Sequence, residues 1–248
     1  MFKLMKYEFR KTWVTKLILL GITAVAEAAY LFSLYTENEN GVITTIGILT
    51  LLAFGGVMVI GLQSVLTLHH DMNTKQGYML FMTPNSCYKI LGAKVLENGL
   101  SILVTGGFYF ALAALDVSLL FAKEGQLNQL WETFQRFISS INEKIPMNAD
   151  GLAAFTFAML AGWIGTVVTA YLADVISAAL LNGKSFNGVI SFVIFVALSW
   201  AASWLEGIAT QNIPNVITTM LIQGGLSLLI AAVMYVVTAQ IMEKKLSV

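Results

Sequence analysis

Charge is what this sequence has least of. Asp, Glu, Lys and Arg make up 11% of its 248 residues, while hydrophobic residues make up 57%. A soluble domain of ordinary composition carries roughly 25% charged residues. With a mean hydropathy of +0.77, the chain is read as one whose solvent is lipid. The 14 basic and 14 acidic residues cancel, so nothing in the balance points to nucleic acid or an acidic partner. A single cysteine, Cys87, excludes an internal disulfide and a cysteine-built metal or redox centre. The two histidines, His69 and His70, are adjacent and would point about 100° apart on a helix, so they cannot share a metal as an i, i+4 pair does. They read as a solvated helix end. The chain has no H-E-x-x-H and no G-x-S-x-G, which removes the metalloprotease and serine-hydrolase patterns.

What the sequence does have is long apolar runs. A spanning helix needs about 20 mostly apolar residues, and six stretches meet or approach that length: Leu17 to Tyr35, Ile43 to Leu68, Leu100 to Leu120, Leu152 to Ala173, Val189 to Leu205 and Val216 to Ile241. They lack the dyad alternation of an outer-membrane barrel, so the spans are predicted to be helical. The N-terminal basic and apolar stretch, with Ala24-Val25-Ala26, resembles a cleaved signal, but its apolar run continues through Leu34 and a retained first helix is expected. Lys and Arg decide the orientation. With the N-terminus in the cytoplasm, eleven of them lie inside (Lys3, Lys6, Arg10, Lys11, Lys16, Lys75, Lys89, Lys94, Lys184, Lys244, Lys245) and three outside (Lys123, Arg136, Lys144). Both termini are therefore expected in the cytoplasm.

Three segments lie outside the spans. In residues 1–16, Phe2, Met5, Phe9 and Trp13 recur at steps of three and four between Lys3, Lys6 and Arg10, the pattern of an interfacial helix or a plain orientation anchor. Residues 121–153 form the long external segment, where Leu127, Leu130, Trp131, Phe134, Ile138 and Ile141 mark one helical face. An amphipathic external helix is expected there, as a cover for the span ends or as a gate in which Trp131, Phe134 and Ile138 face membrane or substrate. The third, His69 to Lys94, is too polar to span and too long for a tight turn. It mixes Asp71 and Lys75 with Tyr78, Phe81 and Met82 before Pro84 ends any helix. Aromatics beside charges suit insertion into a groove on a partner protein, with the headgroup layer as the plainer alternative.

Asn182-Gly183-Lys184-Ser185 ends like a phosphate-binding loop, but Ala178 stands where G-x-x-x-x-G-K-[ST] requires glycine, and an apolar helix stands where it requires a strand. No ATPase is visible in the chain. Carboxylates within spans are costly and are functional suspects. Glu27 lies mid-span with no local partner, and is expected to face other helices, a water-filled pathway or, in a carrier, the coupled proton. Glu97 is expected to pair with Lys94 one turn away. Asp116 interrupts the third span. Gly55-Gly56, Gly106-Gly107, Gly162 with Gly165, and Gly224-Gly225 permit close helix approach.

The order Asp71, Lys75, Gly77, Tyr78, Phe81, Thr83, Pro84, then Lys89, Leu91 and Lys94 resembles the first cytoplasmic loop of ABC-2-type transporter permeases of Gram-positive bacteria. Tyr7-Glu8-Phe9-Arg10-Lys11 and the six-span plan extend the likeness. Cys87-Tyr88 departs from it, since such permeases usually place basic residues there. The resemblance implies a single all-α permease domain, 1–248, with an N-terminal interfacial helix, a cytoplasmic coupling helix within 69–94 and an external amphipathic segment. It implies that Asp71, Lys75, Gly77, Tyr78, Phe81 and Pro84 contact a separate ATPase subunit, which binds the ATP and Mg, and that a second permease subunit completes the pathway in the bacterial plasma membrane. The short chain and the long segment between spans three and four are similar to exporters of amphipathic peptides such as phenol-soluble modulins or bacteriocins. A stand-alone proton-coupled carrier using Glu27 is the alternative from another class, and a membrane scaffold or sensor is a third.

Overall fold

In the apolar runs nothing interrupts the helical ladder: none of the six long helices described below contains a proline. The computed structural model describes residues 2–73, 86–123, 131–132, 135–136, 139–140, 148–181 and 187–246. Six long helices follow one another: α1 (Phe2–Tyr35), α2 (Glu39–Asn73), α3 (Cys87–Lys123), α4 (Ala149–Leu181), α5 (Asn187–Thr210) and α6 (Val216–Leu246). All six are long and apolar enough to cross a membrane, and no strand occurs among the described residues.

The helix ends carry the expected chemistry. Glu37, with φ 56°, turns the chain out of α1 in the left-handed conformation. Asn38 Oδ1 then accepts from Gly41 N at 3.1 Å to open α2, Asn148 Oδ1 accepts from Gly151 N at 2.8 Å to open α4, and Asn215 Oδ1 accepts from Ile217 N at 2.9 Å to open α6. Along the helices, exposed threonines turn their hydroxyls inward: Thr44, Thr50, Thr156 and Thr166 donate to the carbonyl four residues back, at 2.8 to 2.9 Å. That leaves outward faces such as Phe54 and Phe110, 77% and 79% exposed, without a donor seeking water, as an apolar solvent requires.

Two expected boundaries differ. Residues 2–16 are continuous with the first span in one helix of 34 residues, about 51 Å long against a hydrocarbon core of about 30 Å. No Gly or Pro stands between Trp13 and Leu17 to break it. The polar segment 69–94 is helical at both feet, since α2 runs on to Asn73 and α3 starts at Cys87.

The chain forms two compact units. One comprises Phe2–Ser64 and Leu96–Gln135, and the other comprises Val65–Val95 and Arg136–Val248 with Met1. In the first, α1 and α3 run parallel: Thr12 meets Glu97, Thr23 meets Tyr109 and Tyr30 meets Asp116 in step. Its apolar centre is Tyr30, Leu34 and Leu49. In the second, α4 and α6 lie parallel, as Phe157 against Gly224, Gly165 against Ser227 and Thr169 against Met234 record. The core there is Leu68, Cys87, Leu91, Val167, Tyr171, Val175 and Met242.

Candidate functional site

In the second unit a polar cluster sits at the two helix feet that carry residues 74–85. Asp71, near the end of α2, accepts from Lys94 Nζ of α3 at 2.8 Å. Lys94 is 1% and Asp71 5% exposed. A buried lysine and a buried aspartate are each costly alone, so the pair holds the two feet together more by the penalty of separation than by net attraction. Two residues back on α2, His69 Nδ1 lies 2.7 Å from Asp174 Oδ1 of α4, and Ser191 of α5 also bonds the Asp174 carboxyl. Tyr235 of α6 donates its hydroxyl to the carbonyl of Tyr88 on α3, and the rings of those two tyrosines stand 6.1 Å apart. Three other helices thus hold the feet, α4 and α6 directly and α5 through Asp174, with Cys87 buried among Leu68, Leu91 and Met242.

These contacts revise several expectations. His69 is half-buried against a carboxylate rather than a solvated helix end. Asp71 is an interior ion-pair partner of Lys94, because the helix continues past Leu68 and turns it inward. Lys94 does not pair with Glu97 as expected, since Asp71 on the neighbouring helix occupies its Nζ. Lys75, Gly77, Tyr78, Phe81 and Pro84 lie outside the described residues. Cys87 fills a core position, a sufficient reason for an apolar side chain where the resemblance led to an expectation of charge.

The first unit holds two further polar clusters. Glu97, 4% exposed, accepts from Lys16 Nζ at 2.7 Å, Ser101 Oγ at 2.8 Å and Thr12 Oγ1 at 3.0 Å. Lys16 also donates to Ser101 Oγ at 2.6 Å. Farther along the same two helices, the Glu27 carboxyl faces that of Asp116, and Tyr30 donates to the Asp116 carbonyl at 2.8 Å. Glu27 Oε2 and Asp116 Oδ1 are buried without a hydrogen-bond partner. The partner of Glu27 was therefore not local but 89 residues away in sequence. A signal for it existed: Glu27 lies eight residues before the end of α1 and Asp116 seven before the end of α3, so parallel helices bring them to one depth. Of the expected external gate, Trp131 is 58% exposed, and Phe134 and Ile138 lie outside the described residues. No cluster of His, Cys, Asp and Glu fit for a metal occurs among the described residues.

Compared with protein-family models, with curated proteins and with solved structures, the chain matches none.

Proposed function

We propose that this chain is the membrane-spanning permease subunit of an ATP-binding-cassette exporter in a bacterial plasma membrane, working with a separate ATPase subunit and a second permease subunit. The observation that carries the reading is the anchoring of residues 74–85. Motion delivered to that segment by a partner has to reach the spans through an element that both ends can bias. Asp71 and Lys94 clamp its two feet at 2.8 Å, and His69 with Asp174 ties them to α4. A displacement there is transmitted to several helices instead of being absorbed by a slack loop.

Tyr78, Phe81, Lys75 and Gly77 supply the contact, aromatics filling a groove on the ATPase and Gly77 allowing close approach, and Pro84 redirects the chain. ATP and Mg belong to the partner. With the Lys and Arg distribution as guide, both termini and residues 74–85 face the cytoplasm and residues 121–153 face out. Amphipathic peptides are the substrate class the resemblance favours, and Trp131, Phe134 and Ile138 screen their exit. Replacing Tyr78 and Phe81 together with Ala tests the reading. The double variant should insert normally yet lose the ATPase or hydrolyse without export, and parent-level export with the ATPase bound would contradict it.

A second reading, a proton-coupled carrier, draws on the facing carboxyls of Glu27 and Asp116. Two carboxyls at one depth can exchange a proton. Glu27→Gln would abolish transport driven by a proton gradient and leave ATP-driven export intact, which separates the two.

A further inference from the structure

The α1–α3 contact of the first unit leaves a half-open cavity of about 240 Å³ that no proposed step of export uses. Trp13, Leu17 and Leu20 of α1 face Val104 and Phe108 of α3 across it, with Ile60 of α2 behind. Two ties close its ends: Lys16 on Glu97 and Ser101 at 2.7 and 2.6 Å, and Thr23 on Tyr109 at 2.9 Å. Lys16 and Thr23 are seven residues apart, so the gap between the ties is about 10 Å long. Drug-sized ligands take pockets of roughly 300–1,000 Å³ with several convergent polar groups. This cavity is smaller and walled almost wholly by hydrocarbon and aromatic rings, the shape for a stretch of acyl chain.

Charge fixes what is attached to that chain. Lys6, Trp13 and Leu20 are spaced by seven, so they stack along one face of α1 with a drift of about 20° per step. Arg10 flanks the line between Lys6 and Trp13. Lys6 and Arg10 are exposed, and Trp13 is 49% exposed. From Lys6 to Leu20 is about 21 Å along the helix, the headgroup layer plus most of one leaflet of a hydrocarbon core about 30 Å thick. The cations sit where a headgroup would lie, the indole at the interface, the cavity at acyl depth.

We infer that this face of α1 and α3 is a binding site for one anionic phospholipid, its phosphate against Lys6 and Arg10 and one acyl chain in the cavity beside Trp13, Leu20, Val104 and Phe108. The inference rests on the membrane placement proposed above and not on the exporter reading, so loss of ATPase coupling leaves it standing.

Native mass spectrometry of the detergent-purified protein, stripped and re-exposed to equimolar phosphatidylglycerol and phosphatidylcholine, tests it. One retained phosphatidylglycerol is expected, favoured by on the order of 25-fold, about five-fold for each of two cations. Lys6→Gln with Arg10→Gln should erase the preference, and Val104→Trp, which fills the cavity, should lose the lipid. Leu103→Trp, adding the same bulk on an exposed residue of α3 outside the cavity, should retain it and shows that α3 tolerates the ring. Equal retention of the two lipids by the parent, undiminished binding in Val104→Trp, or exclusive retention of an added amphipathic peptide would each overturn the assignment.

Discussion

Lys94→Met removes one member of a buried ion pair while keeping most of the side-chain volume. Asp71, 5% exposed, is then left as a carboxylate facing a thioether instead of an ammonium 2.8 Å away. Breaking a buried pair from one side costs about 3–5 kcal/mol, whereas replacing both members with apolar residues is often neutral. At about 1.4 kcal/mol per decade, opening of the second unit becomes some two to four decades more frequent. Cys87 reports it directly: it is the sole cysteine, it is 8% exposed, and it lies in the core beside Leu91 of α3. In the purified protein a fluorogenic maleimide reacts with Cys87 only when that core opens, so the labelling rate follows the opening equilibrium while reclosing is fast. The rate should rise by about two to four decades in Lys94→Met and return toward the parent value when Asp71→Leu is added. A single variant that labels at the parent rate, or a double variant worse than the single, would refute a clamp made of this pair.

Neighbouring glycines give an internal control on α6: a Cβ on Gly224 would meet the Phe157 ring at 2.7 Å while one on Gly225 would meet nothing within 4 Å. Gly224→Ala should therefore destabilise by about 1–3 kcal/mol and Gly225→Ala stabilise by up to about 1 kcal/mol, both read from denaturation midpoints in micelles. Glu97→Ala should cost about 1.5–3 kcal/mol, less than Lys94→Met, because Lys16 keeps 15% exposure and can carry its ammonium toward the interface; an equal or larger loss would contradict the difference in burial. In a Cys87→Ser background, Gln126→Cys should be labelled by an impermeant reagent in intact cells, and labelling only after lysis would reverse the orientation.

The six helices long and apolar enough to cross a membrane were legible in the sequence because lipid demands about 20 apolar residues per helix, a signal that needs no tertiary knowledge. The same rule hides what continues beyond the hydrocarbon. Lys3 to Lys16 and His69 to Asn73 read as elements separate from the apolar runs, yet each is continuous with its neighbouring helix, because backbone propagation does not stop where the side chains turn polar. Partner choice was less legible. Lys94 has Glu97 within reach on its own helix, but Asp71 across the helix pair is fully desolvated with it, and burial outweighs sequence proximity. Glu97 finds Lys16, Thr12 and Ser101 instead. Glu27 was singled out by depth alone, whereas Asp116 was noted only as an interruption, since pairing them requires knowing that α1 and α3 lie side by side. The proposed ATPase contact of Tyr78 and Phe81 rests on the sequence alone, and the structure contributes the Asp71–Lys94 pair on the helices that flank residues 74–85.

Purification of the tagged chain from its native membranes, followed by identification of the co-purifying subunit and by hydrolysis measurements, tests the exporter assignment most directly. The expected result is a stoichiometric polypeptide with a complete phosphate-binding loop and vanadate-sensitive ATP hydrolysis, both lost from the Tyr78→Ala, Phe81→Ala variant. A chain that purifies without any ATPase, and whose transport in sealed vesicles follows a proton gradient in the absence of ATP, would contradict it.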